Sequence, residues 1–311
     1  MSAFSTAQHV VLRDGRRLCY AIYGDRCGVP LVFLHGFPGS RQQAALVDKP
    51  AAALGVRLIS FDRPGFGQSS PMPLRKIPDV ASDVRQLADQ LGIERFGVVG
   101  VSCGGAYALA CGSLLSDRIT RVTLVAGMGP MDLPRIRRGQ AVALRMLFAL
   151  ARQHYRLPSM MLLADSVFLR RFPRLALRML SSLLSGRDRE LLDGNSGLRE
   201  TFVESMAEAY NQGLNSALRE AHLIAGPRGY ALSDVRVPVD IYQGGQDRHV
   251  PPEMGRFLAE QLPCAELHYY PGDGHLSILL SSCTAWLQNT SESATRSNTP
   301  SAGWQFERRL A

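Results

Sequence analysis

The sequence predicts an α/β protein: a mostly parallel, twisted sheet flanked by helices, with a helical cap inserted into it. Three observations carry that expectation. Short apolar runs alternate with helix-period segments as far as residue 129 and again from residue 235. Between them, residues 130–234 are rich in Leu, Met and Arg at helical spacing and lack strand-like runs. Three clusters of chemistry-bearing residues each follow an apolar run directly, and right-handed crossovers bring the C-terminal ends of parallel strands to one edge.

Each element has its own signal. Residues 9–12 and 16–23 flank Asp14-Gly15, a hairpin turn. Residues 29–34 form a strand ending at His35-Gly36-Phe37-Pro38-Gly39, and a helical pattern covers residues 42–54. A buried strand at 56–61 leads into Asp62-Arg63-Pro64-Gly65-Phe66-Gly67-Gln68-Ser69, and a helix is expected near 78–91. Strand 96–101 and a helix to about 115 enclose the turn Gly100-Val101-Ser102-Cys103-Gly104-Gly105, and 121–126 is another strand. After the cap, strands at 237–242 and 266–270 are expected, then an apolar helix from near Leu276. This divides the chain into a core (1–129 and 235–289), a cap (130–234) and a Ser/Thr-rich tail (290–311) contributing neither core nor chemistry. In the cap, Phe168, Leu169, Phe172, Leu175, Leu177 and Leu180 either line a substrate cavity or pack the cap on the core; packing is the default.

Strand, sharp turn and helix are the context in which G-x-S-x-G presents a nucleophilic serine. The pentapeptide alone is weak, and it becomes strong through its downstream partners. Asp247 lies on the loop Gln243–Pro252, after one strand; His275 lies on Pro271–His275, after the next. A serine hydroxyl needs a base to take its proton, and a histidine near pH 6.5 is the best-matched one. That histidine needs an acceptor on its other nitrogen. Ser102, His275 and Asp247 supply nucleophile, base and acid, with Asp132 as a rival for the acid. The tetrahedral intermediate needs two preorganised donors, each worth about 3 kcal/mol. The backbone N–H groups of Cys103 and Phe37 are the candidates, since Pro38 has none. Cys103 reads as a small buried side chain whose amide matters. Asp273 reads as a turn residue, Asp62 and Arg63 as braces, and the remaining histidines, His249 among them, as packing or surface groups, with His35 supporting the oxyanion turn.

These motifs resemble those of the α/β-hydrolase-fold serine hydrolases of the capped, esterase-like kind, over residues 10–288. The resemblance rests on His35-Gly36, Asp62 to Ser69, the Ser102 turn, the Asp247 loop and Gly272-Asp273-Gly274-His275. It implies hydrolysis of a small-molecule carboxylic ester or thioester through an acyl-serine, without a cofactor. Aspartate-nucleophile relatives, epoxide hydrolases and haloalkane dehalogenases, are disfavoured by Ser102. An acyltransferase, a cofactor-free perhydrolase and a hydrolase-like receptor remain alternatives.

The chain has 311 residues and a net charge of +8. Residues 135–189 hold twelve arginines against Asp165 and Asp188, a local +10 that leaves −2 for the rest. No nucleic-acid motif accompanies that charge, so nucleic acid is not an expected partner. The Arg-rich cap reads first as a solvated helix face; an anionic substrate, a carrier protein or a membrane surface there are the alternatives. The six cysteines show no metal spacing and the N-terminus shows no apolar leader, so a cytoplasmic location is expected.

Overall fold

The computed structural model describes residues 6–153 and 155–297. Eight strands form one sheet: β1 Gln8–Val11, β2 Arg17–Gly24, β3 Val29–Leu34, β4 Val56–Phe61, β5 Phe96–Val101, β6 Ile119–Val125, β7 Val239–Gly244 and β8 Ala265–Tyr270. Their order is β1-β2-β4-β3-β5-β6-β7-β8. The β1–β2 and β2–β4 pairs are antiparallel and all later pairs parallel. The helices are α1 Asp48–Ala53, α2 Asp79–Gln90, α3 Gly104–Leu114, α4 Val142–Gln153, α5 Arg156–Arg171, α6 Pro173–Leu183, α7 Gly186–Gly194, α8 Ser196–Glu208, α9 Asn215–Ala225, α10 Pro252–Gln261, α11 Ser277–Ser281 and α12 Cys283–Ser297.

The period-two alternation of a strand sorts side chains onto two faces. Val32, Leu34 and Val98 enter the core shared with α2, α3 and α10. Leu31, Phe33, Val99 and Val101 enter a second core with Ala51 of α1 and Trp286 of α12. Every residue of β5 and β7 is buried, as strands covered on both faces require. Helices α4 to α9 fall between β6 and β7 and build a core of their own, in which Leu147, Leu162, Val203 and Met206 close on Phe66 of the loop after β4.

Buried ionic ties bind this helical layer to the sheet layer. Glu220 of α9 accepts from Arg63 at 2.5 Å, Arg75 at 2.8 Å and the Tyr107 hydroxyl at 2.7 Å. Glu208 of α8 accepts from Arg41 at 2.9 Å, and Arg41 also holds Asp62 at 2.6 Å. A buried charge is tolerated only when its partners satisfy it, and removing one partner costs about 3–5 kcal/mol.

The structure differs from the sequence expectations at several element boundaries; the strand expected over 121–126, for one, is β6, Ile119–Val125. The helix expected over 42–54 is a 3-10 turn, Arg41–Val47, followed by α1. Pro50 has no N–H for a preceding carbonyl and would clash with it in a continuous helix. The strand expected from 237 starts at Val239, after Pro238, which cannot donate to a ladder. The apolar helix after His275 is broken into α11 and α12. The tail expected from 290 begins too early: α12 runs to Ser297, and Thr290 is buried, its hydroxyl donating to the Trp286 carbonyl at 2.8 Å. That hydroxyl back-bond lets a threonine lie inside a core helix, which composition does not reveal. Residues 298–311 of the expected tail lie outside the described residues.

Candidate active site

Ser102 lies between β5 and α3 with φ 54°, in the left-handed region that costs a non-glycine residue about 1–2 kcal/mol. Its backbone is pinned from both sides. Its N–H donates to Val125 O at 3.0 Å, and its carbonyl accepts from Gly105 N at 3.0 Å and Met128 N at 2.9 Å. The turn closes because two positions lack a Cβ. A Cβ on Gly100 would lie 2.6 Å from Gly104 O, and one on Gly104 would lie 2.1 Å from Leu34 O. Strand and helix therefore approach to a distance that only glycine permits.

The turn after β3 is oriented by buried groups. The Arg63 guanidinium donates to His35 O at 2.5 Å and to Gly36 O at 3.1 Å. His35 Nδ1 contacts Gly36 O at 2.8 Å while its Nε2 accepts from Arg63 N at 3.3 Å, which fixes the neutral tautomer protonated at Nδ1. Burial and the neighbouring Arg63 charge push His35 well below its ordinary value. In a trans peptide the carbonyl and the following N–H point in opposite directions. With Gly36 O held toward Arg63 and His35, the Phe37 N–H is turned the other way. Among the described residues, neither the Phe37 N–H nor the Cys103 N–H meets a protein acceptor. Burial pushes the Cys103 thiol up to about 12, so it stays a thiol.

His275 Nδ1 donates to Asp247 Oδ2 at 2.7 Å. The other Asp247 oxygen accepts from His249 N at 2.7 Å and Val250 N at 2.9 Å, so the carboxylate is fully committed. This arrangement leaves His275 Nε2 as the acceptor nitrogen. Burial alone would lower the imidazole's pKa, but the Asp247 charge and hydrogen bond and the Asp188 charge outweigh it, and the net direction is upward from 6.5. Asp132, the rival acid, is exposed.

Phe37, Ser102 and His275 line one cavity of about 230 Å³, whose remaining wall is largely apolar: Leu144, Leu147, Leu162, Phe202 and Met206. No hydrogen bond joins Ser102 Oγ to His275 among the described residues. Of the six cap side chains read as cavity or packing, Leu180 lines this cavity, Phe168, Leu169 and Leu177 pack within the cap, and Phe172 and Leu175 are exposed.

Sequence reasoning missed three groups here. Asp188, fully buried on α7, accepts from the backbone N–H groups of His275 at 3.0 Å, Leu276 at 3.1 Å and Ser277 at 2.8 Å. Burial would raise its carboxyl, but hydrogen bonding from the Ser277 amide and side chain, the His275 charge and the Ser185 side chain hold it below the ordinary carboxylate value. The Ser185-x-x-Asp188 capping pattern was legible, and the structure forms it, but the capture of a distant loop by the same carboxylate was not. His249, read as packing or surface, lines the cavity with its ring 4.6 Å from that of His275. Burial and the His275 charge lower it to about 3, which keeps it neutral. Asp165, on the cavity wall, accepts from the Tyr210 hydroxyl at 2.6 Å, and burial raises its carboxyl.

A family model described as the alpha/beta hydrolase fold matches residues 29–282. The chain belongs to the α/β-hydrolase fold family, and its relatives support hydrolase activity. It is 32% identical over 262 residues to a 2-hydroxy-6-oxononadienedioate/2-hydroxy-6-oxononatrienedioate hydrolase from Burkholderia vietnamiensis, covering 79% of this chain and 80% of that one. It is 30% identical over 233 residues to the dihydrolipoyllysine-residue acetyltransferase component of an acetoin cleaving system from Pseudomonas putida; that match covers 70% of this chain and 60% of the length of that protein. Among solved structures, an esterase from Exiguobacterium antarcticum superposes with a TM-score of 0.67 at 19% identity, covering 93% of this chain and all of that one.

Proposed function

We propose that the protein hydrolyses a carboxylic ester, or a thioester, of largely apolar character through an acyl-Ser102 intermediate. The observation that carries the reading is the Asp247–His275 hydrogen bond at 2.7 Å on a cavity that Ser102 and Phe37 share. Ser102 Oγ attacks the ester carbonyl as its proton passes to His275 Nε2. The Phe37 and Cys103 amides receive the oxyanion, with the positive end of α3 behind them. The tetrahedral intermediate collapses, His275 gives the proton to the leaving alkoxide, and the acyl group stays on Ser102. Water then attacks the acyl carbon, giving a proton to His275, and the carboxylic acid leaves as Ser102 regains its own.

The lining supports an uncharged substrate. Neither Arg nor Lys is on the cavity wall among the described residues, and Asp165 is its carboxylate. A dianionic dienoate of the kind named for the Burkholderia relative would sit there without a cationic partner, a costly burial. That relative's identity nevertheless favours a second reading, hydrolysis of a 2-hydroxy-6-oxo-dienoic acid on the same triad.

A panel of p-nitrophenyl esters of graded acyl length, assayed beside such a dienoate, separates the two. The expected result is ester turnover that Ser102→Ala lowers roughly a million-fold in kcat. Turnover close to wild type in that variant, or activity on the dienoate alone, overturns the ester reading.

A further inference from the structure

The helices that roof the cavity are apolar on both sides. Leu147 of α4, Leu162 of α5 and Leu180 of α6 face the Ser102 cavity. Of the large apolar side chains left exposed among the described residues, all but Val11, Leu74, Leu114 and Tyr269 lie between Val142 and Met179, on these same helices or their junctions. On α5, Met160, Leu163 and Val167 recur at helical spacing with exposures of 66%, 52% and 44%, opposite the buried Pro158, Leu162, Ser166 and Leu169. Phe172 and Leu175 continue the exposed patch at 55% and 44%. A surface helix ordinarily turns a polar face to water, and an apolar patch spread over neighbouring helices marks an interaction site.

The charge on this face identifies its partner. Arg156 opens α5 and Arg171 closes it, and Arg145 and Arg152 stand exposed on α4. Arg170, which donates to Asn211, and Arg174 line the groove that also holds Asp193, Glu200 and Glu204. Across these helices the acid is Asp165, which is turned inward to Tyr210 and the cavity. Self-pairing would set these arginines against one another, so the face suits an anionic partner rather than a second copy. Apolar side chains between terminal guanidinium groups are the arrangement of a helix lying in a lipid headgroup layer, with the side chains in the acyl boundary and the arginines at phosphate level. No described helix is long and apolar enough to cross a membrane, so the contact is peripheral.

We infer that the outer face of α4, α5 and α6 docks on an anionic lipid surface, bringing the roof of the Ser102 cavity against the bilayer. The substrate class this implies, lipophilic esters taken up from the membrane, rests on the ester hydrolysis proposed above; the docking itself does not. Flotation of the full chain with vesicles of phosphatidylcholine, with or without phosphatidylglycerol, tests it at low and high salt. The expected result is retention on the anionic vesicles, roughly tenfold weaker on neutral ones and weakened by salt. The variant carrying Met160→Ser, Leu163→Ser and Val167→Ser, none of them on the cavity wall, should lose roughly tenfold in retention or more, with an unchanged thermal melt. Should that variant fold poorly, Arg156→Glu with Arg171→Glu gives an independent reading, again with loss on anionic vesicles. Ser102→Ala should float like the wild type, which keeps this result separate from any failure of the ester assay. Absence of retention by a monomeric protein, which would leave the face to a protein partner, overturns the inference. So does retention indifferent to both variants, or a dimer in light scattering that the serine variant splits.

Discussion

The Phe37 amide is aimed by groups away from the cavity wall: Arg63 and His35 hold Gly36 O, and the rigid peptide plane does the rest. Asp188 acts in the same indirect way on His275. Its carboxylate collects the three amides that begin the His275 segment, and its charge raises the His275 pKa. Asp188→Asn keeps one acceptor oxygen but turns an NH2 toward donors and removes the charge. The imidazolium loses a stabilising neighbour, so His275 should titrate lower. In the wild type the acid limb of kcat/KM is expected above pH 6.5; in Asp188→Asn it should move toward acid, with kcat/KM lowered about tenfold at its plateau. An acid limb that stays in place would reduce Asp188 to a staple between cap and loop.

At the scale of elements, the strand–turn–helix around Ser102 is the most demanding local geometry in the chain. Gly104→Ala would put a methyl 2.1 Å from Leu34 O and 2.8 Å from His35 O, both backbone atoms that cannot yield without moving β3. It should destabilise by about 3 kcal/mol or more, read as a lower urea midpoint; an unchanged midpoint would show that the turn can relax. This element was legible in the sequence because glycine spacing and flanking periodicity encode it locally. The extents of β3, β4 and β5 were legible for the same reason, each being a short, continuous apolar run. The faces of the cap helices were not, because α5 carries apolar residues all round and periodicity cannot say which side meets the core. The Asp188 latch was also out of reach: its partners lie 87 to 89 residues away and are backbone amides, which carry no sequence signal.

For the whole molecule, the histidines make acid a destabilising condition. His35 and His249 are held neutral, so below pH 6.5 the unfolded chain binds protons that the folded one does not, and stability falls as pH drops through that value. His275 has the opposite sign: its raised pKa gives stability that is fully present below 6.5 and is lost as pH rises through the folded value. Asp188 adds stability above its ordinary carboxylate value, lost as pH falls through its lowered one. His35 and His249 contribute a decline in the urea midpoint from pH 7 to pH 5, against which His275 and the raised carboxyls of Asp62, Asp83 and Asp165 act. The decline should be shallower in His249→Phe; an equal slope in both proteins would remove His249 from the balance.

Covalent trapping at residue 102 reaches the chemistry itself. Intact-mass and peptide mass spectrometry after a fluorophosphonate probe, or after a rapid quench with a p-nitrophenyl ester, should find a single adduct on Ser102. Labelling should be strongly slowed in His275→Ala and absent in Ser102→Ala. Ester turnover with no adduct on Ser102, or an adduct on another residue that survives in Ser102→Ala, would contradict an acyl-serine hydrolase.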